Sequence, residues 1–180
     1  MAWLLWGTGI ITAHAQSHLR QDIIERIQHP RVTPALPSES PGAKSIPQPG
    51  MGEPVGILRI PRIKVDVVVV QGTTTENLKD GPGHYPGTAI PRDDHGRVAI
   101  AGHRTTYARP FWSLDTMRVG DLIEIQTEFG TYRYRVTGMR DVLPTDVWVS
   151  KQTRAPSLVL TTCTPRWSAS HRLAVFAQRE

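Results

Sequence analysis

The sequence predicts an all-β fold, a barrel or sandwich with short helical inserts, set behind an N-terminal helix and a proline-rich linker. Three observations carry this. Apolar runs rich in Val, Ile and Thr recur from Gly56 to the C-terminus, separated by Gly, Pro and Asp. Helical periodicity is strong only before the first proline cluster. No internal repeat divides the chain, so a solenoid is not expected.

At 180 residues, 39% hydrophobic and 21% charged, the chain has the length and composition of one globular domain with appendages. Its single cysteine, Cys163, excludes an internal disulfide and any zinc site built on a cysteine pair. A net charge of +5 and a pI near 9.8 permit attraction to nucleic acid, phospholipid headgroups or an acidic polymer. The basic residues are scattered, and no nucleic-acid motif or alternation of aromatic with basic residues is present. A nucleic-acid partner is therefore not expected.

The elements follow in order. Ala2 to Ala13 is uncharged and apolar, and the next turns carry Leu19, Ile23, Ile24 and Ile27 at helical spacing, so residues 1–28 read as one helix. A dozen helical residues span about 18 Å against a hydrocarbon core of roughly 30 Å, too short to cross alone. The run reads as a truncated membrane anchor, as a helix packed on the domain or a partner, or as a degenerate signal peptide. Arg20, Arg26 and Arg31 follow it, an order that by itself favours a cytoplasmic domain. Residues 29–54 hold Pro30, Pro34, Pro37, Pro41, Pro47, Pro49 and Pro54 and read as an extended spacer holding a folded domain, residues 55–180, away from whatever the helix is attached to.

Within that domain, Gly56 to Pro61 and Lys64 to Gly72 are strands punctuated by Pro61. Thr74 caps a short helical turn that glycines end, and residues 84–96 are a loop dense in Pro, Gly and Asp. Arg97 to Gly102 is a strand that delivers His103. Phe111, Trp112 and Leu114 anchor a short helix or turn in the core. Asp121 to Thr127 and Thr131 to Val142 form a hairpin around Phe129 and Gly130, and a mostly irregular connection leads to Pro156. Leu158 to Cys163 and Arg172 to Phe176 are two further strands, separated by Pro165 and a polar loop.

If the last two strands pair, Arg172 returns close to Cys163, where a cation lowers a thiol pKa and steadies an oxyanion. His103, at the end of a third strand, supplies a base. A Cys–His pair with a cation suits acyl transfer, because the thiolate attacks a carbonyl and the imidazolium protonates the leaving amine. His171, next to Arg172, is the rival base, but it ends a loop whereas a strand fixes His103. The bland alternative is a noncatalytic β-barrel binding module with a buried cysteine and a stray histidine. A thiol hydrolase or protease would use the same three residues with water as acceptor.

At these residues the chain resembles a sortase, a cysteine transpeptidase of bacterial cell surfaces. The matching pieces are AGHR around His103, the LVLTTC form of the TLxTC signature ending at Cys163, and Arg172 nine residues later. GHYPGTAIP, GHRTTYARPFWSLD and TTCTPRWSASHRL look most like class E, the housekeeping type of high-GC Gram-positive bacteria. The resemblance covers Glu53 to Glu180. Leu158 stands where the signature usually has Thr, and Thr164 where class E often has His.

The resemblance implies an eight-stranded barrel whose groove binds an LPxTG-like or LAxTG-like sorting signal. Cys163 would form the acyl-thioester at the threonine carbonyl, His103 would act as general acid and then base, and Arg172 would stabilise the oxyanion. The acceptor would be an amino group of lipid II or peptidoglycan, so that surface proteins are anchored by an enzyme on the outer face of the cell membrane, held there by its N-terminal segment. Thr162 would shape the oxyanion site and Trp167 would line the groove, with strand packing and a partly exposed loop aromatic as their alternatives; among the loop histidines, His84 is read as lying near the site and as a third substrate-binding candidate. No cofactor is implied. Glu53, Glu76, Asp80, Asp93, Asp94 and Glu128 form no recognisable oxygen cage, so the sequence names no metal site and leaves calcium dependence open.

Overall fold

Period-two alternation gives each strand an apolar face, and the sheet closes on itself so that one such face lies inside. The computed structural model describes residues 2–30 and 48–180, with side chains from Thr12 onward. Its strands are β1 (Pro54–Ile60), β2 (Val65–Gln71), β3 (Gly83–His84), β4 (Arg97–Ala101), β5 (Leu122–Thr127), β6 (Gly130–Val142), β7 (Ser157–Thr164) and β8 (His171–Arg179). They form a closed barrel in the order β1-β2-β3-β4-β7-β8-β6-β5, with β5 pairing back to β1. Neighbours are antiparallel except β2–β3 and β4–β7.

Leu58 and Ile60 of β1, Val98 and Ile100 of β4, Leu158 and Leu160 of β7, and Leu173 and Val175 of β8 point inward into one core. Each fully buried side chain of this size contributes about 1.5–3 kcal/mol. Phe111 and Leu114 also enter that core, as the sequence predicts. Trp112 does not: it stays half-buried, with the guanidinium groups of Arg109 and Arg166 lying 5.0 and 4.7 Å from its ring centroid. β3 lies inside the segment expected to be loop, and its two residues are too few to show any periodicity.

The alternate residues of two sheet regions point outward and are covered. Ala99, Val159 and Ala174 are fully buried in an outer cluster with Tyr85, Val142, Val149 and Phe176, beneath the β6–β7 connection and its 3-10 turn at Val147–Ser150. On another part of the barrel, Ile57 and Val68 are covered by α1 (Ala2–Gln28). α1 is the single N-terminal helix expected, and its second half takes the form of a helix packed on the domain. Leu19, Ile23 and Ile27 pack directly on the barrel while Ile24 faces away. Residues 31–47 of the proline-rich spacer lie outside the described residues. Among the described residues no helix is long and apolar enough to cross a membrane. The helix α2 (Thr75–Asp80) is capped by Thr74, whose hydroxyl accepts from the Asn77 amide.

Candidate active site

Strand register brings the three candidate residues together. Cys163 of β7 and Arg172 of β8 are direct partners in the antiparallel ladder. β4 runs parallel to β7 with Ala101 opposite Thr161, and Gly102 continues the pairing by donating to the Thr161 carbonyl at 3.0 Å. His103 therefore comes level with Cys163 on the adjacent chain. Alternation fixes the side. Val98, Ile100, Leu158, Leu160, Leu173 and Val175 point inward, so Ala99 and Ala101, Val159 and Thr161, and Ala174 point outward. Continued by one step of the same alternation, His103, Cys163 and Arg172 all fall on the outer face. Below them runs a floor of small residues, where the Tyr85 hydroxyl meets Thr161 Oγ1 at 3.0 Å.

The glycine before His103 is required by space. A Cβ on Gly102 would lie 2.5 Å from the Phe111 ring, so the backbone passes over that ring only without a side chain. Beyond His103, three consecutive non-glycine residues, Tyr107, Ala108 and Arg109, have φ of 50°, 60° and 52°. Such conformations cost of order 1–3 kcal/mol each and cluster where surrounding structure imposes a geometry. This run carries the Tyr107 ring to 5.0 Å from the His103 ring.

Burial lowers the His103 pKa below its ordinary 6.5, which favours the neutral ring. Its Nε2 is buried without a hydrogen-bond partner within the chain. Cys163 is a free, half-buried thiol. Arg172 donates through Nη1 to the carbonyls of Ala169 and His171 at 2.9 and 3.0 Å, which holds its head at the base of the β7–β8 loop. The rival base His171 is exposed and bonds to Ser170 Oγ.

The other three sequence-predicted residues divide. Thr162 points inward, nearly fully buried, and donates to the Gly102 carbonyl at 2.7 Å; it ties β7 to the residue before His103 and has no side chain in the cleft. His84 is corrected from substrate contact to interior support. It is 0% exposed, with Nδ1 at 2.7 Å from Gln71 and Nε2 at 2.8 Å from the Ala89 carbonyl. Trp167 is 66% exposed on the β7–β8 loop, its ring edge-on to Trp112 at 6.0 Å, accessible to a ligand along the cleft.

Sequence reasoning missed Tyr85, Arg104, Tyr107 and Asp115. Arg104 adjoins His103 in the sequence, yet only the fold shows its guanidinium reaching the Cys163 carbonyl at 3.2 Å. Among the described residues no group of three or more His, Cys, Asp or Glu is placed to hold a metal ion. Several of the acidic residues noted above are engaged locally: Glu76 with Lys79, Asp93 with the Ile90 amide and Asp94 with His95.

The chain is similar to Sortase D of Bacillus subtilis, at 32% identity over 66% of this chain and 58% of the relative. It is similar to Sortase SrtE1 of Streptomyces coelicolor at 28% identity over 99% of this chain and 51% of the relative. It thus spans between half and three-fifths of the length of these two relatives. Among solved structures, a Clostridium perfringens Sortase D5 transpeptidase superposes with a TM-score of 0.77 at 25% identity, covering 93% of this chain and 99% of that one. A sortase-domain family model matches residues 58–180, which hold the whole cleft from His103 to Arg172, and the chain belongs to the sortase family.

Proposed function

We propose that this protein is a cysteine transpeptidase that cleaves an LPxTG-like or LAxTG-like sorting signal between Thr and Gly and transfers the acyl group to an amine of a cell-wall precursor. The observation that supports this reading is the register that sets Cys163 opposite Arg172 in β7–β8 and runs β4, which ends two residues before His103, alongside β7. Cys163 gives its proton to His103, and its sulfur attacks the threonine carbonyl. The carbonyl oxygen takes the negative charge beside Arg172. The C–N bond then breaks as His103 protonates the departing glycine amine, leaving a thioester. An incoming amine attacks that thioester, gives up a proton to His103, and restores the thiol as the amide forms.

Tyr85 and Thr161, joined through their hydroxyls, lie on the same outer face, and the exposed Trp167 ring offers an extended peptide an apolar edge. The acceptor is an amino group of lipid II or peptidoglycan, the location is the outer surface of the cell membrane, and the N-terminal segment is the attachment.

Incubation with LPxTG and LAxTG peptides, followed by intact mass measurement, is expected to show an acyl adduct on the parent chain and none on Cys163→Ala. Added triglycine is expected to raise turnover and yield the glycine adduct. Hydrolysed product with no glycine adduct at any triglycine concentration would make the enzyme a thiol hydrolase. An inert Cys163 toward every peptide and toward thiol reagents would make the barrel a binding module.

A further inference from the structure

The residue after His103 is an arginine whose side chain is only 4% exposed. A guanidinium so far removed from water needs partners. Nη1 of Arg104 donates to the Cys163 carbonyl at 3.2 Å, and Nη2 meets Asp115 Oδ2 at 2.8 Å, while its buried Nε has no hydrogen-bond partner. The opposite oxygen of Asp115 lies 3.0 Å from Nη2 of Arg166, three residues beyond Cys163. The bonds therefore make a ring, from the Cys163 carbonyl through Arg104, Asp115 and Arg166 and back along the chain to Cys163.

We infer that Arg104 and Asp115 are positioning residues, which lock the Cys163–Thr164 peptide plane and tie the β7–β8 loop to it. The inference rests on the reading of Cys163 as nucleophile. A guanidinium held out of water against a partly exposed carboxylate adds little net stability, so its place on the Cys163 carbonyl points to geometry. The guanidinium fork serves two acceptors in different directions at once, which a lysine ammonium on a flexible stem does not reproduce. A displacement of about 1 Å at a reacting atom is worth on the order of a hundredfold in rate. A small alkylating reagent approaches the sulfur from any direction and is insensitive to that displacement.

The test uses the full chain and its variants Arg104→Lys, Asp115→Asn and Arg166→Gln, with three readouts. These are thioester formation with an LAxTG peptide, alkylation of Cys163 by iodoacetamide, and amide hydrogen exchange over residues 163–170. Arg104→Lys is expected to lower kcat for thioester formation about ten- to a hundredfold with KM within about threefold. Its alkylation rate stays within about twofold of the parent, and residues 163–170 exchange faster. Asp115→Asn shifts the same readouts in the same direction, and Arg166→Gln speeds exchange over the loop. Thioester formation within about twofold of the parent in both Arg104→Lys and Asp115→Asn would overturn the inference, as would acylation and alkylation falling in parallel. Unchanged exchange in Arg104→Lys would overturn it even for a chain that forms no thioester, and a parent without thioester would by itself remove only the transpeptidase reading.

Discussion

Cys163 and Arg172 sit opposite each other in the β7–β8 ladder, so the thiol and the guanidinium stem leave the sheet from the same rung. Side chains so paired start about 5 Å apart, within reach of one carbonyl oxygen. Arg172 is partly exposed and held by backbone carbonyls, so its removal opens no cavity in the core. Arg172→Ala is expected to lower thioester formation by about a hundred- to a thousandfold, the scale of one lost oxyanion donor, with Tm nearly unchanged. His103→Ala is expected to cost at least about a hundredfold. Full activity in either variant, measured by adduct mass against time, would remove that residue from the mechanism.

Gly102 couples the core to His103. Because Phe111 is completely buried beneath it, Gly102→Ala forces either the ring or the β4 end to move. Overpacking of this kind costs typically about 1–3 kcal/mol. Thermal unfolding should show that loss, and acylation should fall more than the folded fraction does, because the displaced backbone is the one that carries His103. A variant as stable and as active as the parent would mean that the Phe111 ring swings aside at no cost.

The strands and the cleft were legible in the sequence for a definite reason. β4, β7 and β8 are short apolar, β-branched runs buried on both faces, so their extent and their ends, where His103, Cys163 and Arg172 stand, are readable from composition and punctuation. β3 escapes because two residues carry no period, and it is the β3 pairing to Ile100 that draws His84 into the interior. Thr162 has the composition of a cleft residue, but parity sends it inward. Trp112 looks like a core anchor because bulk was the only signal, whereas the two arginines that hold it at the surface come from sequence positions three before and 54 after it. Arg104 and Asp115 carry no local signal for the same reason: their partners are distant in the chain.

His84 links stability to pH. Burial lowers its pKa below 6.5, outweighing the opposing bond to the Ala89 carbonyl. The unfolded chain then takes up a proton before the folded one does. Stability is fully present above about pH 6.5 and is lost as pH falls from there through the lowered folded value. Burial shifts His103 in the same direction. His84→Gln keeps polar contacts in the interior without a titrating ring, so its Tm should fall less than that of the parent between pH 7 and pH 5. Identical pH slopes in the two proteins would show that His84 contributes nothing to acid sensitivity.

Gln16 closes a gap in the sheet from outside. β3 begins pairing with β2 only at Val70, so Val68, which faces Ile57 of β1 on one side, has no strand neighbour on the β3 side. The Gln16 side-chain amide takes that place: its Oε1 accepts from the Val68 N–H at 2.7 Å, and its Nε2 donates to the Val68 carbonyl at 3.0 Å and to the Asp80 carbonyl at 2.7 Å. Gly81 leaves the room for it, since a Cβ there would lie within 2.3 Å of that nitrogen. Gln16→Ala strands a buried donor and two carbonyls at a cost of about 1–3 kcal/mol. For a chain of this size that is a Tm decrease of roughly 2–4 °C per kcal/mol. Because α1 packs on β1, β2 and α2, thioester formation per folded molecule should be unchanged. A Tm within a degree of the parent would show that water replaces Gln16 freely and that the other contacts of α1, among them Leu19, Ile23, Ile27 and the Arg20–Asp66 pair, hold it to the barrel.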